Sequence, residues 1–74
     1  MFKKWKLKKQ IERSKNTIAL LEQKRTRSQA ALVEAILKNA TPKDEDVDFF
    51  NRFTTQIEDE RARMHQMMAE LEKM

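Results

Sequence analysis

Asn39-Ala40-Thr41-Pro42-Lys43-Asp44-Glu45-Asp46 is the stretch that decides the fold. Asn39 and Ala40 are predicted to end one helix. Thr41 reads as the N-cap of a second, its hydroxyl accepting from a backbone N–H that has no helical partner. Pro42 follows at the first helical position, where a missing N–H costs nothing. Asp44, Glu45, Asp46 and Asp48 crowd the next turns, where negative charge meets the positive end of the helix dipole. Pro42 is the one proline of the chain and glycine is absent. Sharp reversals elsewhere would lack the residue that adopts positive φ at low cost.

Apolar residues recur in helical steps on both sides of this turn. Upstream the ladder runs Leu7, Ile11, Ser14, Ile18, Leu21, Arg25, Ser28, Leu32, Ala35. The steps alternate four and three, as in a heptad seam. Downstream it runs Val47, Phe50, Thr54, Ile57, Arg61, Met64, Met68, Leu71, with Phe53, Met67 and Met74 widening the stripe. A short connection favours antiparallel neighbours. The predicted fold is therefore all-α: one domain over 1–74, helix 1 about 3–38, turn about 39–41, helix 2 about 42–73. Facing residue numbers should sum to about 81, as the turn is near the midpoint of that pairing. Ser14-Lys15-Asn16-Thr17 are weak helix formers and good caps, so the basic tip 1–15 could fray. Arg25 and Arg61 fall in the seam; each is expected to lay its stem there and reach a carboxylate at the edge.

Charge divides between the two segments. Met1–Ala40 holds eleven Lys/Arg against three Glu, a net of +8; Thr41–Met74 holds five against nine Asp/Glu, a net of −4. Opposite charge favours side-by-side packing of the two helices. A single core in a chain of 74 residues seldom supplies more than roughly 3–5 kcal/mol. Cysteine is absent and His65 is the only imidazole, so neither a disulfide nor a zinc site can add to that. Burial against another chain is the remaining route. The expected outcome is a coiled-coil-like hairpin that dimerises into a four-helix bundle. Its architecture resembles the repressor-of-primer class of small hairpin dimers, a likeness of shape that carries no function.

The residues give little to catalysis. Asp44, Asp46 and Asp48 have the spacing that opens a calcium loop, but Phe49 stands where that loop needs Gly and Thr55 where it needs a closing Glu. His65 has no nucleophile or second imidazole at a useful spacing. The chain is expected to be a non-enzyme with no metal, no cofactor and no small-molecule substrate. It has no apolar run of the ~20 residues that cross a bilayer, and a cytoplasmic location is expected, with peripheral membrane association as a variant.

Two surfaces could hold a partner. Near the turn, Leu32, Val33, Ile36 and Leu37 on the first helix and Phe49, Phe50, Phe53 and Ile57 on the second exceed what one seam can cover. The surplus points to self-association and to a further protein partner. At the other end, Lys3, Lys4, Lys6, Lys8, Lys9 and Arg13 surround Trp5, a composition suited to phosphates of nucleic acid or to an anionic membrane surface. The function expected is a small protein–protein interaction module: an adaptor, inhibitor or assembly factor of the size of phage or mobile-element accessory proteins.

Overall fold

The computed structural model describes residues 2–74 and consists of two helices, α1 (Phe2–Leu37) and α2 (Asp44–Glu72), packed against each other. They run antiparallel: Lys8 and Glu72 line one groove, while Glu22 meets Arg61 further along. The hairpin measures 57 × 15 × 14 Å with a radius of gyration of 16.8 Å. A compact chain of this length would have about 11 Å. The molecule is a rod, two helices thick.

The reversal is built without glycine. Asn39 adopts φ 57°, a left-handed conformation that Asn tolerates better than most residues. The amide of Asn39 donates to the carbonyl of Ile36 at 3.0 Å, and that of Ala40 to Ala35 at 2.9 Å. This pair of bonds is the Schellman closure, with Asn in the place glycine usually takes. The second helix then starts two residues later than expected. Lys43 is its N-cap, extended at φ −67° and ψ 140°, with no side-chain cap. Thr41 and Pro42 therefore lie outside α2, and the capping role expected of Thr41 is not realised. Packed helix axes stand 8–10 Å apart. The Schellman closure uses Asn39 and Ala40, so Thr41 to Lys43 are needed to cross that gap. Asp44, Glu45 and Asp46 occupy the first turn of α2 and offset its dipole in place of a hydroxyl cap.

The first helix is continuous through Ser14-Lys15-Asn16-Thr17, with no break before the basic tip. Its seam is the expected one. Leu7, Ile11, Ser14 and Ile18 are buried, and Leu21, Arg25, Ser28, Leu32 and Ala35 are half-buried. The seam of α2 differs from expectation. Phe50, Ile57, Met64 and Leu71 face α1, but Phe53, Glu60 and Met67 fill the alternate places. Arg61 and Met68 are turned to the edge and exposed, and so is Val47 at 36%. Each of these belongs to the same helix one residue on, about 100° around the axis.

Ser14 accommodates the charged member of this frame, Glu60. The serine is 4% exposed, and its small side chain leaves room opposite. Its hydroxyl donates to Glu60 Oε1 at 2.7 Å. Arg61, displaced to the rim, donates from Nη2 to Glu22 Oε1 at 2.6 Å, the edge pairing expected of a seam arginine. Ile57 is the best-buried side chain, 1% exposed.

Candidate interaction surfaces

The seam defines two flanks. Glu22 and Arg61 mark one, together with a groove lined by Lys8, Glu12, Lys15, Asn16, Met68 and Glu72 beside Ile11 and Leu71. Ser14, Glu60 and Arg63 mark the other, with Arg63 Nη2 3.8 Å from Glu60 Oε2. Gln10, Arg13, Thr17 and Met67 share that second side. Heptad spacing carries these flanks along the rod. Ile36 lies two heptads after Glu22, and Val47 two heptads before Arg61. Val33 and Leu37 lie three heptads after Glu12 and Asn16. Ile36 and Val47 therefore fall on the first flank at the turn end, with Val33 and Leu37 further round toward the outer side of α1. Phe49, two heptads before Arg63, falls on the second.

Exposure separates the eight residues expected to form a protein-binding surface. Val33 (46%), Ile36 (62%), Leu37 (78%) and Phe49 (38%) are exposed. Leu32, Phe50 and Phe53 are half-buried in the seam. Ile57 is closed off inside the hairpin, which removes it from any surface. Val33 and Leu37 border a shallow trough on the outer side of α1 with Thr26, Gln29, Ala30 and Glu34. On the second flank Phe49 stacks on Phe53 with ring centroids 6.3 Å apart, and the Arg52 guanidinium lies 5.8 Å over the Phe49 ring. Stacking and cation–π contact shield Phe49 in part; Val33, Ile36 and Leu37 have no such cover among these contacts.

The open end of the hairpin has a different chemistry. Lys3, Lys4, Lys6, Lys8, Lys9 and Arg13 are all exposed. Phe2 is 82% and Trp5 58% exposed, and Met74, at the same end because the helices are antiparallel, is 54% exposed. Lys9 Nζ sits 4.9 Å over the Trp5 ring. Trp5 also borders a shallow surface with Lys6, Gln10 and Arg13. The first turn of α1 has no acidic residue. Leu20 (52%), which belongs to neither ladder, is exposed, and Met68 (41%), expected in the seam of α2, is exposed because that helix is rotated by one residue.

Asp44, Asp46 and Asp48 lie at the start of α2, and His65 is exposed on its outer side. No cluster of three potential metal ligands occurs among the described residues, and no described helix is long and apolar enough to cross a membrane. The chain matches no family model, no curated protein and no solved structure.

Proposed function

We propose that the chain is a small interaction protein that pairs with a second copy into a four-helix bundle and presents helix faces to a macromolecular partner as an adaptor, inhibitor or assembly factor. The supporting observation is unmet burial. The hairpin exposes 6182 Å², where a compact monomer of 8.9 kDa would expose about 4,800 Å². The excess is about 1,400 Å², against the ~800 Å² per partner of a standard interface. At the turn end it includes the exposed side chains of Val33, Ile36 and Leu37. Fully burying one such side chain is worth about 1.5–3 kcal/mol.

Charge supports the same arrangement. A second hairpin laid alongside can set its acidic α2 against the basic α1 of the first, and the reverse, as a two-fold interface requires. The test is sedimentation of the wild type beside a variant with Val33→Asn, Ile36→Gln and Leu37→Gln. All three positions are exposed in the single hairpin, so helix content should change little. The wild type should sediment at twice 8.9 kDa and the variant at the monomer mass. A monomeric wild type with a sharp unfolding transition would reject the proposal.

A further inference from the structure

We propose that the open end of the hairpin docks on an anionic lipid bilayer, with Phe2 and Trp5 entering the interface and the surrounding lysines reaching the headgroups. This inference does not rest on dimerisation; it uses the opposite end of the molecule.

Three observations carry it. First, Phe2 and Trp5 are three residues apart on one helix and share a face, yet that face is not the seam. Leu7 and Ile11 fill the seam at this end, so the aromatic pair has no place inside the hairpin. Met74 adds a third exposed apolar side chain at the same end, which only the antiparallel fold brings there. Second, the charge is strongly one-sided. Between Phe2 and Lys15 and between Glu70 and Met74 there are eight cations against the carboxylates of Glu12, Glu70 and Glu72, a net of +5. Third, the cations are arranged about an end. Successive helical residues turn by about 100°, so Lys3, Lys4, Lys6, Lys8 and Lys9 fan around the whole helix. A nucleic-acid duplex lies along one side of a rod and would leave several of these facing away. A planar surface met by the tip is within reach of all of them, because lysine stems can bend toward headgroups while apolar neighbours go deeper. Lys9 Nζ, 4.9 Å from the Trp5 ring, already sets a cation beside the aromatic that would enter the interface. Interfacial binding uses apolar area and cation–headgroup attraction together.

Trp5 is the only tryptophan, which makes its emission a report on this end alone. The full chain is titrated with phosphatidylcholine vesicles with and without phosphatidylserine, at low and physiological ionic strength. On the serine-containing vesicles the emission should shift to the blue and be quenched by brominated acyl chains. Neutral vesicles should give neither effect. Each Lys→Gln change at the tip should lower the partition coefficient roughly fivefold, the equivalent of ~1 kcal/mol per lysine. A Phe2→Ala/Trp5→Ala variant should stay in the supernatant at physiological ionic strength with its helical circular dichroism intact. The proposal is overturned if anionic vesicles leave the emission unmoved at low salt. It also fails if the protein pellets without quenching, or if the double variant pellets like wild type. Retardation of DNA or RNA by a protein that ignores the vesicles would reassign the tip to nucleic acid.

Discussion

Removing the Ser14 hydroxyl should destabilise the hairpin, whereas removing its partner should not. Ser14 donates to Glu60 at 2.7 Å within the seam, and the Glu60 side chain is only 15% exposed. Ser14→Ala leaves a largely desolvated carboxylate with Arg63 Nη2 at 3.8 Å. A hydrogen bond to a charged group contributes about 1.5–3 kcal/mol, and its loss leaves the acceptor's desolvation uncompensated. Arg63 is mostly exposed and gives partial relief, so the low end, about 1.5 kcal/mol, is expected. Glu60→Met removes the buried charge and fills the seam, an exchange that is often neutral or stabilising by ~1–4 kcal/mol. The orphaned Ser14 hydroxyl has a local alternative. Thr26, Thr54 and Thr55 each donate to the carbonyl four residues back in this chain, and Ser14 can do the same. The double variant should match Glu60→Met, giving a coupling energy near the whole cost of Ser14→Ala.

Thermal unfolding followed by circular dichroism measures all four corners of this cycle. A loss of about 1.5 kcal/mol lowers Tm by roughly 6–12 °C in a chain of this size. Protein concentration must be held fixed, since self-association would make Tm depend on it. Two results would refute the reasoning: Ser14→Ala unchanged within a degree or two, or Glu60→Met as damaging as Ser14→Ala. The first would mean that Glu60 is solvated in spite of its place in the seam; the second, that the Ser14–Glu60 pair is worth more than the apolar contact that replaces it.

Two further substitutions test the core and the rim. Ile57→Ala, at the best-buried position, should cost about 2–5 kcal/mol, comparable with the whole margin of a core this small; far-UV circular dichroism should show loss of helix at room temperature. Glu22→Gln removes the charge that pairs with Arg61, but the two side chains are 41% and 49% exposed. The loss should be only about 0.2–1 kcal/mol, and urea unfolding in molar salt should show almost none of it, since the screening length there is about 3 Å.

The contrast between the two seams shows what the pattern of residues could reveal. In α1 two frames share Leu7, Ser14, Leu21, Ser28 and Ala35, but one adds Ile11, Ile18, Arg25 and Leu32 and the other Gln10, Thr17, Lys24 and Ala31, and the more apolar is the one observed. In α2 two frames share Phe50, Ile57, Met64 and Leu71. One adds Phe53, Glu60 and Met67; the other adds Thr54, Arg61 and Met68. Each contains one charged residue, but the first carries Phe53 and Met67 against Met68 alone, so apolar content by itself leans to the frame observed. What the pattern does not contain is the partner that makes a seam glutamate tolerable: Ser14, forty-six residues from Glu60 in sequence, donates to its carboxylate. The turn failed for a similar reason. Thr41-Pro42 is a strong local start signal, but the gap between packed axes is a tertiary requirement, and it moved the start of α2 to Asp44.

The surplus of apolar residues near the turn was legible from composition, because one seam covers a fixed width of each helix. Its division between flanks was not, because rotating α2 by one residue sends Val47 to one side and Phe49 to the other. That division bears on how the two proposed surfaces would act together. If a second copy pairs through Val33, Ile36 and Leu37 with its two-fold axis along the rod, both open ends would point the same way. A bundle about as long as one hairpin would then offer two basic aromatic tips to a single plane. Two weak contacts joined rigidly act at a high effective concentration, so a tip too weak to hold one hairpin on a membrane could hold a pair.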